Sequence, residues 1–360
     1  MLVLIASFAL TAPALPADYL IGVGKADITG PPVGVQMWGF VREGQGTEGI
    51  HIRQYARAYV VAEPEGKRLA FVSADIGSIT NFIQLDVVAR LQARYGDQYG
   101  LGNVVLSATH THAGAGGFWH YGATSPLGST LIAEHYEAIV AGIADSIMQA
   151  HDSMAPGRIL IDRGELQNAG ANRSMPAYLN NPEEERGRYQ APHDLDMTLL
   201  RFERDGVAIG ELNWFAVHPT AMTYNNKLIS GDHKGRASQL FEAEEGDGFV
   251  AAFAQANCGD ITPNTNLNNT GPGEDEFDTT NIMATRQYQK ARELFDSAST
   301  ELEGPVDYRH TYVNFKWADV DAAWTGGDPA MTCPSAYGYS FAAGSTEDGG
   351  GHPMFREGMT

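Results

Sequence analysis

Cysteine is almost absent: Cys258 and Cys333 are the only two in 360 residues. They leave two readings open, one disulfide formed after export or two single thiols. A disulfide framework and a cysteine-built zinc cluster are excluded. Positive charge is also scarce. Lys and Arg total 24 against 44 Asp and Glu, a formal charge of −20. So acidic a chain repels phosphate backbones and anionic headgroups, which argues against sequence-independent nucleic-acid binding and against adhesion through a basic patch. No segment reads as a transmembrane helix. The G-x-S-x-G elbow, the Walker loop, H-E-x-x-H and G-x-G-x-x-G are all missing, so serine-hydrolase, NTPase, zincin and dinucleotide-binding readings lack support. No internal repeat and no linker divide the chain, and its composition is that of a globular protein with a large core.

What is present begins with a short apolar run, Leu2 to Leu10, followed by small residues through Ala17. The run is too short to span a bilayer, and Ala12 and Ala14 satisfy the small-x-small pattern of a cleavage site. Residues 1–17 are therefore expected to be a signal peptide, although no basic residue precedes Lys25. The alternative is a buried N-terminal strand. The signal-peptide reading predicts a secreted or periplasmic protein with one main domain over residues 18–360.

Apolar residues recur at helical spacing in Phe82–Tyr95 (Phe82, Leu85, Val88, Leu91, Tyr95) and in Ile132–Met148. A third stripe runs through Ala284, Tyr288, Ala291 and Phe295. Five short runs rich in β-branched or aromatic residues read as strands: Leu69–Ser73, Asn103–Ser107, Met197–Phe202, Val207–Val217 and Phe249–Ala254. Their near-continuous apolarity implies sheets covered on both faces. The predicted class is α/β, with layered mixed β-sheets flanked by helices.

Polar clusters follow several of these strands. Asp75-Ile-Gly77 ends the first, and Thr109-His-Thr-His-Ala-Gly-Ala-Gly-Gly117 ends the second. Trp214-Phe-Ala-Val-His-Pro-Thr220 and Gly259-Asp-Ile-Thr-Pro-Asn264 end two more. Ligands of open α/β sheets bind beyond the carboxyl ends of strands, so convergence of these exits would make a site. In an extended segment His110 and His112 point to one side, where two imidazoles can face one ion or one substrate. Gly114, Gly116 and Gly117 allow close approach of backbone to a ligand. Taken alone, His218, Arg173 and the Asp260–Thr262 turn are also compatible with purely structural roles.

Together the segments resemble the neutral ceramidase family. The resemblance rests on Gly22-Val-Gly-Lys-Ala-Asp-Ile-Thr-Gly-Pro31, Phe71 to Gly77, Thr109-His-Thr-His-Ala-Gly114 and Asn172-Arg-Ser174. Further matches are Asn213 to Thr220, Ser230-Gly-Asp232, Gly259-Asp260 with Pro263-Asn264, and Thr332-Cys-Pro334 with Gly338 to Gly344. They span roughly Tyr19 to Gly351. The resemblance implies an α/β catalytic domain that uses Zn2+ to hydrolyse the amide of ceramide, giving sphingosine and a fatty acid. It implies His110 and His218 as zinc ligands, with His112 and Arg173 beside the metal. Asp260 and Thr262 join them as candidate catalytic residues, and Gly114, Gly116 and Asp75 as candidate substrate contacts. The reaction implied is metal-assisted hydrolysis, which needs no nucleophilic side chain. Its partner would be ceramide or a related N-acyl sphingolipid, met at a membrane or micelle interface. Two departures stand out. Thr262 occupies the place of a family serine. Nothing in residues 1–360 matches the glutamate and tyrosine that complete the family's zinc site, so a C-terminally truncated catalytic domain is expected. Amidase action on other long-chain N-acyl lipids and a non-catalytic lipid-binding role are the alternatives.

Overall fold

The computed structural model describes residues 19–40, 42–120, 131–336, 338–345 and 349–359. The expected signal peptide, 1–17, lies outside the described residues. From the N-terminal side the chain forms β1 (Tyr19–Asp27), β2 (Val33–Trp38), β3 (Gly46–Ile50), β4 (Tyr55–Ala62) and β5 (Arg68–Ala74). Then come α1 (Asn81–Tyr95), β6 (Val104–Ala108), β7 (Gly114–Ala115), α2 (Ala133–Asp152) and β8 (Ala155–Glu165). A two-residue β9 (Ala171–Asn172) and two one-turn helices, α3 (Met175–Tyr178) and α4 (Glu183–Arg186), precede β10 (Asp196–Arg204) and β11 (Val207–Phe215). The site-bearing half continues with β12 (Leu228–Ile229), α5 (Asp232–Glu245), β13 (Val250–Gln255), β14 (Ile261–Thr262) and α6 (Glu276–Ser297).

The main sheet has the order β13-β11-β10-β8-β1-β4-β5-β6. Its pairings are antiparallel except β5 with β6 and β11 with β13. Strand β8 joins two halves, pairing Ala155–Gly157 with β1 and Arg158–Glu165 with β10. Period-2 alternation then sorts side chains into three cores. Ala58, Val60, Ala70 and Val72 face α1 and α2, where Ile83, Leu91, Ile139 and Ile143 cover them. The opposite faces carry Tyr59 and Phe71, which pack against Phe202, Leu212, Val250 and Ala252 of the other half. That half's outer face, with Leu199, Phe215 and Phe253, lies under α5 and α6. The stack is helix, sheet, sheet, helix, so both sheet halves are covered on both faces, as expected. A second sheet, β12-β3-β2-β7, lies beside the polar strand exits.

Several local expectations change. Helix α1 is capped by Thr80, whose hydroxyl accepts from the Ile83 amide, and ends at Gly96. Its buried side is Ile83, Val87, Val88 and Leu91, whereas Phe82 and Leu85 are exposed. The shorter stripe wins because α1 lies on a sheet already covered by α2. Helix α5 has too short an apolar stripe to announce it, because beside Ala237 and Phe241 it buries Asp232, His233, Lys234 and Ser238. The glycines of β1 serve packing. A Cβ on Gly22 would meet the Ala150 carbonyl oxygen at 1.9 Å, and one on Gly24 the Ser146 carbonyl oxygen at 2.2 Å, so both let α2 rest on the strand. Cys258 and Cys333 are free thiols, the first half-buried at a strand exit and the second exposed, so the disulfide option is not realised.

Candidate metal centre

The parallel pairs β5–β6 and β11–β13 send their carboxyl ends to one side, and the stacked halves bring those ends together. His110 follows β6 with φ of +72°, a left-handed backbone that a non-glycine residue holds only where its surroundings over-determine it. Its amide donates to the Ile76 carbonyl and its ring Nδ1 lies 2.7 Å from the Gly77 carbonyl oxygen. His218 follows β11, its amide bonded to the Ile261 carbonyl and its Nδ1 3.0 Å from the Cys258 carbonyl oxygen. In both rings an N–H on Nδ1 donated to a carbonyl leaves the Nε2 lone pair free. That is the orientation second-shell carbonyls give metal-ligating histidines.

The ring centroids of His110 and His218 are 4.6 Å apart. His112 completes the group, its Nε2 lying 3.4 Å from that of His110 and 3.1 Å from that of His218. Among the described residues, ligand atoms of His110, His112 and His218 all fall within 4.8 Å of one another. Two nitrogens about 2.0–2.1 Å from a tetrahedral ion stand about 3.3 Å apart, so the spacing suits one cation. Burial lowers the pKa of His110, and it holds those of His112 and His218 well below the ordinary value. Repulsion within the cluster and from Arg173 adds to that effect. Neutral imidazoles are what a metal requires.

The second sheet walls the centre. Trp38 meets His110 and His112 edge-on at 5.2 and 5.9 Å, and Phe40 meets His112 at 4.6 Å. Gly39 between them has φ of +119°, and a Cβ there would lie 2.4 Å from the His112 ring. A search centred on histidines passes over Trp38-Gly39-Phe40. The only signal it could have used is a glycine between two aromatics.

Strands β9 and β14 pair, with Asn172 opposite Ile261 and Ala171 opposite Thr262, and this brings the Arg173 loop to the histidines. The Arg173 amide donates to the Asp260 carbonyl, and its guanidinium donates to the Gly259 carbonyl at 3.0 Å while lying 3.1 Å from His218 Nδ1. The Asp260 carboxylate accepts from Asn172 Nδ2 at 3.0 Å, so it braces the residue next to Arg173. Thr262 is fully buried, and its hydroxyl accepts from the Asn264 amide in a local turn. A cleft of about 540 Å³, lined by Tyr178, Tyr189, His193, Asn257 and Asp260 among others, opens at this end. A larger cleft of about 800 Å³ has none of the centre's residues in its walls.

Three expected substrate contacts are placed elsewhere. Asp75 is buried, and its carboxylate pairs with Arg57 at 2.7 Å and accepts from the Tyr55 amide at 3.1 Å. Burial raises its pKa against the opposing pull of Arg57. An aspartate so neutralised belongs to the sheet and not to the crevice. Gly114 pairs with Trp38 across the second sheet, and the space beside it holds the Gln54 side chain, 3.0 Å from where a Cβ would stand. Gly116 is buried and donates its amide to Gln36. Both glycines serve strand packing. Sequence reasoning also missed His233, which is wholly buried. Its Nε2 lies 3.1 Å from the His218 carbonyl oxygen and its Nδ1 accepts from Gln287 Nε2 at 2.9 Å. Burial pushes its pKa down to about 3, so it is a neutral brace for the His218 backbone.

A family model described as neutral/alkaline non-lysosomal ceramidase, N-terminal, matches residues 19–360. The chain is 43% identical over 357 residues to neutral ceramidase of Pseudomonas aeruginosa, covering 97% of this chain and 53% of that protein. It is 37% identical over 444 residues to neutral ceramidase of Oryza sativa, covering 95% and 56%. A solved structure of a ceramidase complexed with C2 superposes with a TM-score of 0.87 at 44% identity, over 96% of this chain and 54% of that one. The chain thus spans about half the length of the curated relatives it matches.

Proposed function

The chain belongs to the neutral/alkaline non-lysosomal ceramidase family, and from that premise we propose that it carries the zinc-binding histidines of an exported enzyme that hydrolyses the amide of ceramide to sphingosine and a free fatty acid. The observation that carries the proposal is the convergence of three neutral imidazoles beside a fixed guanidinium. His110 and His218 would hold the zinc, because each has its Nδ1 anchored on a backbone carbonyl. His112 Nδ1 is buried without a hydrogen-bond partner, so this ring lacks the brace of a committed ligand. Its place is beside the metal, facing substrate. Bound there, zinc supplies Lewis-acid polarisation of the amide carbonyl and an acidified water.

The protein's own residues do the rest. Arg173, tethered by Gly259 and braced through Asn172 by Asp260, presents positive charge where negative charge develops on the carbonyl oxygen. Trp38 and Phe40 shield one side of the rings from water, which strengthens every electrostatic interaction inside. Thr262 fixes the turn that follows β14, its hydroxyl accepting from the Asn264 amide. Ceramide sits in lipid, so the substrate is met at a membrane or micelle surface; among the described residues no helix is long and apolar enough to cross a membrane.

The test is fatty-acid release by the zinc-supplied protein from ceramide, compared with long-chain N-acyl amino acids. Ceramide is expected to be preferred, with His110→Ala and His218→Ala inactive. Equal release from both lipids would replace ceramide with a broader amidase substrate. Undiminished release by the histidine variants would remove the metal from the reaction.

A further inference from the structure

His110 and His218 stand on exits of β6 and β11, two strands that share no ladder and belong to different halves of the folded sheet. The residues immediately before them are joined by one side chain. Gln255, the last residue of β13, donates its Nε2 amide to the Thr109 carbonyl at 2.9 Å and to the Val217 carbonyl at 2.9 Å. Its Oε1 accepts from the Val217 amide at 3.2 Å. A primary amide has two N–H donors, and here each goes to a different histidine-bearing strand. Beyond the rings a backbone bond from the His112 amide to the Pro219 carbonyl also joins the two exits, and Gln255 adds the tie on the strand side, at the residue before each histidine.

We propose that Gln255 is a positioning residue that sets the spacing of His110 and His218, and through it the affinity of the centre for its metal. The inference rests on the reading that these two histidines hold zinc. Side-chain chemistry narrows the alternatives at this position. Glutamate keeps the size and the acceptor for Val217 but loses both donors; methionine keeps the length and loses every hydrogen bond.

The test measures Zn2+ dissociation constants by chelator competition, and the visible d–d spectrum of the Co2+ form, in the full chain. Gln255→Glu and Gln255→Met are compared with wild type and with Phe295→Leu, a packing change in the core under α6. Both Gln255 variants should bind Zn2+ about 10–100-fold more weakly, the loss typical when a group supporting a metal ligand is removed, with shifted and weakened Co2+ bands. Phe295→Leu should lower the melting temperature of the metal-free protein and leave affinity and spectrum unchanged. Should Gln255→Met fail to fold, the isosteric Gln255→Glu carries the comparison. Gln255 variants that bind Zn2+ within twofold of wild type, or a matching affinity loss in Phe295→Leu, would overturn the assignment. A wild-type chain that takes up no Zn2+ would instead overturn the zinc reading beneath it.

Discussion

Gly39 shows how much of the centre depends on one missing methyl group. Its φ of +119° disfavours any side chain, and the His112 ring occupies the place of a Cβ. Gly39→Ala is expected to cost about 2 kcal/mol or more in a denaturant titration, through backbone strain and displacement of the ring; a loss within experimental error would mean that the loop simply shifts. Arg173 makes a different prediction. Its guanidinium bonds a carbonyl and flanks a ring without entering the set of candidate ligands. Arg173→Ala should retain zinc and lose about 10²–10³-fold in kcat, the range found when one oxyanion donor is removed. Zinc loss in that variant would make the residue structural. At this scale His110 and His112 were legible as an H-x-H pair beside glycines, whereas His218 before Pro219 gives no local sign of its own and joined them only through the family resemblance. Asp75 was misread for a physical reason: an aspartate at a strand exit looks the same whether it faces a crevice or a buried arginine. Its partner Arg57 sits in an apolar strand that gives no sign of an internal ion pair.

Among the elements, α5 is the one that sequence periodicity could not reveal and the centre most needs. Its Lys234 ammonium is wholly buried and donates to the Phe215 and Ala254 carbonyls, at the ends of β11 and β13. Farther along the same helix Glu242 accepts from Arg57 at 2.8 Å, which ties α5 to β4. Such a helix satisfies strand ends with its first turn and enters the core only through Ala237 and Phe241, so its buried side is mostly polar and its hydrophobic stripe is too short to read. By contrast, β5, β6, β10, β11 and β13 were read from their near-continuous apolarity, whereas β1, β4 and β8, whose apolar runs are broken by glycine, arginine or aspartate, were not. The Arg57–Asp75 pair belongs to the same frame. Asp75→Ala should destabilise the protein by about 3–5 kcal/mol, since it leaves a buried guanidinium short of one partner. Urea melts showing a loss below about 1 kcal/mol would mean that Glu242 alone compensates.

For the whole molecule, the four-layer stack explains why distant strand exits meet, and that meeting is the part of the site no local motif contained. The same enclosure sets the pH response. Burial keeps the three imidazoles of the centre below their ordinary pKa of 6.5, so the folded protein refuses protons that the unfolded chain accepts. Their contribution to stability is fully present above pH 6.5 and is lost as pH falls through the folded values. Protons therefore compete with the metal only below pH 6.5. Zinc affinity should stay nearly level from pH 8 to 6.5 and weaken below that; a steady tenfold loss per pH unit already above pH 7 would show that the ligands are not held neutral by burial.

Zinc K-edge absorption on the protein loaded with one equivalent of zinc, in wild type and in three alanine variants, is the most direct test. It should show imidazole nitrogens at about 2.0–2.1 Å in wild type, with the metal lost in His110→Ala and His218→Ala and retained in His112→Ala. Zinc held by oxygen ligands alone, or retained unchanged without His110 or without His218, would contradict the account.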